Sequence, residues 1–193
     1  DVTQALFNEE GMLEVDMGAF SIEPFLYMDG RLVTWADVSL TQELEKGYLP
    51  IPSSQWQTGD MMVRTTAFAT GSSGASILYI RYRLENSSPE ARQGRLFVAI
   101  RPFQVTPAWQ SLNLVGAVAP IERLEREGAR VRVDERQVIA VSAPDGFGAA
   151  RSDEGLAAIF EGSLPAAERA HDPLGFAEGA FAFELRVRPG AAH

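Results

Sequence analysis

The sequence predicts an all-β protein, a large two-layer antiparallel β-sandwich with few short helical turns. Three observations predict it. Residues 61–70 and 75–86 alternate with period 2, the spacing of a strand with two unlike faces. Glycine and proline, 17 and 11 residues, interrupt the chain too often for helices of ordinary length. The remaining apolar runs are short and separated by turn residues, which favours antiparallel sheets over strands joined by crossover helices.

Taken in order, residues 12–16, 25–28 and 31–35 read as short strands. The last two are joined by Asp29-Gly30, a dipeptide favoured in two-residue type I′ turns. From 61 to 70, Met62, Arg64, Thr66 and Phe68 share one face; Gly71-Ser72-Ser73-Gly74 then makes a turn, and Leu78, Ile80, Tyr82 and Leu84 share a face of the returning strand. Residues 95–102 are apolar on both faces through Leu96–Ile100, the mark of a strand held between two layers. Residues 121–127 suit either a short exposed helix or a strand, and the alternating Val131 and Val133 just beyond favour the strand. Residues 137–141 form another strand, 152–162 and 165–169 each suit a helical turn or two, and Phe181, Phe183, Leu185 and Val187 line a final core strand. Segments 41–56 and 101–113, rich in Pro, Gln and Trp, read as loops.

With 193 residues, 46 % hydrophobic and 22 % charged, the chain has the composition of one globular domain spanning 1–193. It opens on Asp1 without an initiator Met, which reads as a piece of a longer protein. No apolar run approaches the ~20 residues of a membrane-spanning helix. The net charge of −9 opposes binding to a phosphate backbone, so nucleic acid is not an expected partner. The absence of cysteine removes disulfides, thiolate nucleophiles and thiolate metal sites, and leaves the compartment open between cytoplasm and export.

Chemistry-bearing patterns are sparse. Only His171 is available inside the chain for a Ser-His-acid triad, and the 71–74 turn lacks the strand-to-helix elbow that presents a nucleophilic serine. There is no phosphate-binding glycine loop and a single lysine, Lys46; no metal-ligating pattern or cofactor fingerprint is present. A glycosidase needs two carboxyls ~5–9 Å apart across a cleft, and the sequence selects no pair among 26 acids. Flat rings with polar edges suit the CH faces of sugars. Trp35, Trp56 and Trp109, with Gln42, Arg101, Gln104 and Gln110 near them in sequence, are therefore candidate carbohydrate or inter-domain contacts. Each tryptophan fits core packing as well.

Three stretches carry a family likeness: Thr34-Trp35-Ala36-Asp37-Val38 leading to Thr41-Gln42-Glu43-Leu44; Gly47-Tyr48-Leu49-Pro50-Ile51-Pro52-Ser53 with Trp56; and Tyr82-Arg83-Leu84-Glu85-Asn86 leading to Leu96–Gln104. In order and spacing they resemble the β-supersandwich (galactose mutarotase-like) domain that precedes the (α/α)6 six-hairpin barrel in bacterial glycoside hydrolase-like proteins. The likeness is nearest to bacterial multidomain proteins carrying a discoidin (coagulation factor 5/8 type) module, and it spans about residues 30–187. The resemblance implies a non-catalytic sandwich that packs on the adjacent barrel of the same polypeptide and shapes its cleft, with the general acid and base in the barrel. It transfers no catalytic, cofactor or metal residue. Two further functions stand beside it: an autonomous carbohydrate-binding module, and a glycosidase complete in this chain.

Overall fold

The computed structural model describes residues 4–72, 74–105, 117–151 and 154–192. The strands are β1 (Leu6–Phe7), β2 (Leu13–Glu14), β3 (Ser21–Met28), β4 (Arg31–Val33), β5 (Ser39–Leu44), β6 (Pro52–Thr58), β7 (Met61–Ser72) and β8 (Ala75–Asn86). Then follow β9 (Arg92–Arg101), β10 (Arg123–Glu127), β11 (Arg130–Val133), β12 (Arg136–Ile139), β13 (Gly146–Ala150), β14 (Arg169–His171) and β15 (Glu178–Val187). The helical residues described form 3-10 turns at Trp35–Asp37, Glu45–Gly47 and Ala157–Glu161. All strand pairings are antiparallel, and the fold is an all-β sandwich.

The main sheet runs β1-β2-β3-β9-β15-β13, with β4 added to β3. Two four-stranded sheets, β5-β6-β7-β8 and β12-β11-β10-β14, pack with it. Register explains the core. Ile22, Leu26, Leu96, Val98, Ile100, Phe181 and Phe147 fall on one face of the main sheet through the β3-β9-β15-β13 ladders. They share one apolar cluster with Trp56, Val63 and Leu84 of the second sheet and Leu124, Val131 and Val133 of the third. Fully burying each such side chain contributes ~1.5–3 kcal/mol, so the three sheets are held chiefly by this shared interior.

β9 is central, as its doubly apolar pattern requires: Phe97 and Ala99 on its other face are fully buried too. Leu156 and Ile159 of the 157–161 turn region cover them, together with Ala180 and Ala182 of β15. The Asp29-Gly30 connection has positive φ at both residues (52° and 77°), as a type I′ turn demands.

Several expectations needed correction. Residues 41–56 are largely strand, because β5 and β6 pair over six residues from Ser39↔Gln57 to Leu44↔Pro52 and the period-2 signal is diluted by Gln and Ser on both faces. The 61–86 hairpin is tighter than its Gly/Ser run suggested, since Gly71 and Ser72 remain in β7, opposite Ser76 and Ala75. Residues 165–169 hold no helical turn; Ala167 bridges Ala149, and β14 begins at Arg169. β13, with the sequence Gly-Phe-Gly-Ala-Ala, has weak strand propensity, yet it pairs with β15 over five residues. Gly148 is required there because a Cβ would stand 2.4 Å from the Pro165 carbonyl oxygen.

Candidate functional site

One polar cluster sits on the outer face of the main sheet. Ser21 of β3 lies directly opposite Arg101 of β9, and Gly179 opposite Ile100 places Glu178 beside Arg101 on the far side. Glu23, two residues along β3, is the diagonal neighbour on the same face. The Arg101 guanidinium donates from Nε to Glu178 Oε2 (2.9 Å) and from Nη1 to Glu23 Oε2 (3.3 Å). Ser21 Oγ donates to Glu23 Oε1 at 2.9 Å, and the guanidinium lies over the Phe103 ring, 4.6 Å from its centroid. Both carboxylates are largely buried, with 13 % of each side chain exposed. A glycosidase needs open space for a sugar and water between its two acids, and here a guanidinium fills that space.

Beyond β9, Phe103 bridges Val118, and Gln104 N–H donates to the Ala117 carbonyl at 3.1 Å. The Gln104 side-chain oxygen is buried without a partner among the described residues. Nearby lies Glu14, which sequence reasoning missed. It is buried, with Oε1 accepting from Gly18 N–H (2.5 Å) and Oε2 from Val105 N–H (2.9 Å). A carboxylate so placed ties two distant loops together through their main chains.

Gln42 and Trp56 converge elsewhere, on the loop between β1 and β2. The Trp56 indole N–H donates to the Glu10 carbonyl at 2.8 Å, Ser54 Oγ to the Glu9 carbonyl at 2.6 Å, and Gln42 Nε2 to the same Glu9 carbonyl at 3.5 Å. Asn8 Oδ1 folds that loop by accepting from Glu10 N–H (3.1 Å) and Met12 N–H (2.9 Å). Burial, with the Glu9 charge adding to it, raises the Glu10 carboxyl above its ordinary 4.5. Trp56 is only 3 % exposed and packs in the shared core, so it offers no ring face to a ligand. Trp35 does: it is 48 % exposed on a 3-10 turn capped by Thr34, whose backbone N–H and hydroxyl both donate to Asp37 Oδ2 at 2.9 Å. Those bonds hold Asp37 below its ordinary 3.8.

The structure therefore brings Arg101 near Gln104 in one region and Gln42 near Trp56 in another, while Trp35 stands apart. Trp109 and Gln110 lie outside the described residues. His171 is exposed at the end of β14, and the following Asp172 is buried, its Oδ1 accepting from Leu174 N–H at 2.9 Å. Burial, then the Glu23 charge, pushes the Tyr82 phenol far above its ordinary value. Among the described residues no group of three or more His, Asp or Glu side chains could hold a metal ion. No helix of these residues is long and apolar enough to cross a membrane. A scan against protein-family models finds no match to the chain, and a comparison with curated proteins finds none. What stands is an antiparallel β-sandwich.

The Arg101 cluster was legible only in part. Its members alternate correctly within their strands, but Glu23 and Glu178 are 78 and 77 residues from Arg101, and nothing local gives that register.

Proposed function

We propose that this chain is the non-catalytic β-sandwich of a bacterial carbohydrate-active, glycoside hydrolase-like protein, of the galactose mutarotase-like supersandwich type, packing on and shaping the cleft of a neighbouring helical barrel. The observation that carries the non-catalytic reading is the Arg101 clamp, which fills the space between Glu23 and Glu178 and leaves no room for a substrate between them. The packing part rests on the resemblance in residue order and is supported by the margin at β5. That edge strand is mostly exposed, and Trp35 before it, Leu44 at its end and Tyr48 after it expose large apolar surface. A run of exposed apolar side chains of this kind suits a protein interface.

Two measurements test the reading. The chain is expected to hydrolyse no aryl glycoside, and turnover by it overturns the proposal. In the encoding gene, a long adjoining segment with helix-period apolar stripes is expected, and its absence removes the barrel. The second reading, an autonomous carbohydrate-binding module, is favoured by the half-exposed Trp35 alone. Specific retention on a glycan array that is lost in Trp35→Ala selects it.

A further inference from the structure

Among the described residues β8 is the terminal strand of its sheet, and the edge they leave free is long. On one side it pairs with β7 along all its 12 residues without a bulge. On the other, the described residues supply a neighbour only at its end: Asn86 N–H donates to the Ala191 carbonyl (3.3 Å), Gly190 N–H donates to the Asn86 carbonyl (2.9 Å), and Glu85 bridges Ala192. Both main-chain groups of Asn86 thus point away from β7. Strand alternation then turns the N–H and C=O groups of Ser76, Leu78, Ile80 and Tyr82 to the same open edge. The edge carries no proline, no lysine and no bulge, three of the usual devices against pairing, and its open stretch is charged only at Arg81 and Arg83.

We propose that this edge pairs with β8 of a second copy of the chain, in antiparallel register about Tyr79, joining two four-stranded sheets across a two-fold axis. The inference is independent of the barrel reading. Sterics and charge favour this register. The tail at 190–192 blocks the edge from Glu85 onward, so the open stretch runs from Ala75 to Arg83, and Tyr79 is its midpoint. About that centre Leu78 pairs with Ile80 of the other copy and Ser76 with Tyr82, each pair exchanging two N–H···O bonds. On the outer face Ile77 stands opposite Arg81, Ala75 opposite Arg83, and Tyr79 opposite itself. Moving the two-fold centre from Tyr79 to Arg81 would set Arg81 against Arg81, a destabilising like-charge pair.

The outer face at the centre is already aromatic. Phe68 and Tyr79 stack with centroids 5.1 Å apart and planes 13° from parallel, and both remain over a third exposed, as is Ile77 beside them. Across the two-fold, the two stacked pairs meet as a cross-strand aromatic contact, with Arg81 diagonal to the partner tyrosine ring. Because the two β8 edges face each other across a two-fold axis, each uses up the other and this contact closes at two.

The test is sedimentation velocity over a concentration series, with cysteine pairs to read the register. A dimer that grows with concentration is expected, weakened about tenfold or more in Tyr79→Arg, which sets two guanidinium groups face to face at an exposed position. The chain has no cysteine, so single-cysteine variants report only contacts between copies. An equimolar mixture of Ile77→Cys and Arg81→Cys is expected to cross-link under mild oxidant, whereas neither variant alone should do so. A chain that stays monomeric at about 1 mM overturns the proposal. Cross-linking by either variant alone, equal to that of the mixture, overturns it as well.

Discussion

Replacing Trp56 by Phe separates a structural tryptophan from a ligand platform. The indole N–H donates to the Glu10 carbonyl at 2.8 Å, and the ring is only 3 % exposed in the shared core. Phenylalanine loses that bond and leaves the carbonyl without its donor, a cost of ~1–3 kcal/mol. It also removes part of a buried ring, worth ~0.8 kcal/mol per methylene-sized group. Together these give ~2–4 kcal/mol. A chain of this size shifts its thermal midpoint by ~2–4 °C per kcal/mol, so a fall of roughly 5–15 °C is expected. Circular dichroism in the β-sheet region is the suitable readout, because the substitution itself alters tryptophan fluorescence. Trp35→Phe is the internal control: half-exposed and on a surface turn, it should change stability by no more than ~0.5 kcal/mol. Hydrogen exchange should quicken at residues 8–12 in the Trp56 variant, since that loop loses one of its anchors while the bonds from Ser54 and Gln42 remain. An unchanged midpoint for Trp56→Phe, or an equal fall for both variants, would refute the assignment of Trp56 to the core.

Three further outcomes follow from individual contacts. Glu14→Gln keeps the shape but leaves one of the Gly18 and Val105 N–H groups facing an amide NH2, so chemical denaturation should show a loss of ~1–3 kcal/mol, and an unchanged midpoint contradicts the two-loop tie. Gly148→Ala drives a methyl group against Pro165, and overpacking of this kind costs ~1–3 kcal/mol; a crystal structure should show the 163–167 segment displaced from β13. Asp37 is held below its ordinary 3.8, so its bonds to Thr34 stabilise the 34–37 turn above that value and are lost as pH falls through the lower folded value. The Thr34 amide resonance should accordingly titrate with a midpoint under 3.8, and in Asp37→Asn that titration should vanish; a midpoint at or above 3.8 contradicts the cap.

The strands that the sequence located best are those in which one physical signal dominates. β7 and β8 alternate because one face meets the core and the other is largely open, β15 alternates in the same way over residues 183–187, and β9 is apolar on both sides because both of its faces are covered. β5 and β6 look like loops in the sequence because their residues meet small polar neighbours, with Ser53 Oγ 2.9 Å from Thr66 Oγ1 and Arg64 bonded to Gln55. β13 gives little strand signal because its glycines answer close neighbours outside the segment, Leu164 for Gly146 and Pro165 for Gly148. Among the candidate contact residues, Trp56 shows the same limit: a tryptophan's chemistry is the same inside and outside, and only packing decides which role it takes.

What the sequence by itself determined is therefore local: an all-β chain, its hairpin at 61–86, its type I′ turn at Asp29-Gly30 and its sandwiched central strand. These follow from side-chain alternation and from the backbone angles that particular residues permit. Only the tertiary structure decided that Arg101 clamps Glu23 and Glu178, that Glu14 joins two loops, that Trp56 is interior, and that β8 is the last strand of its sheet among the described residues. Each of those depends on strand order and register across large separations in the chain. Register there is fixed by the summed burial of many apolar faces, a quantity that no single segment contains.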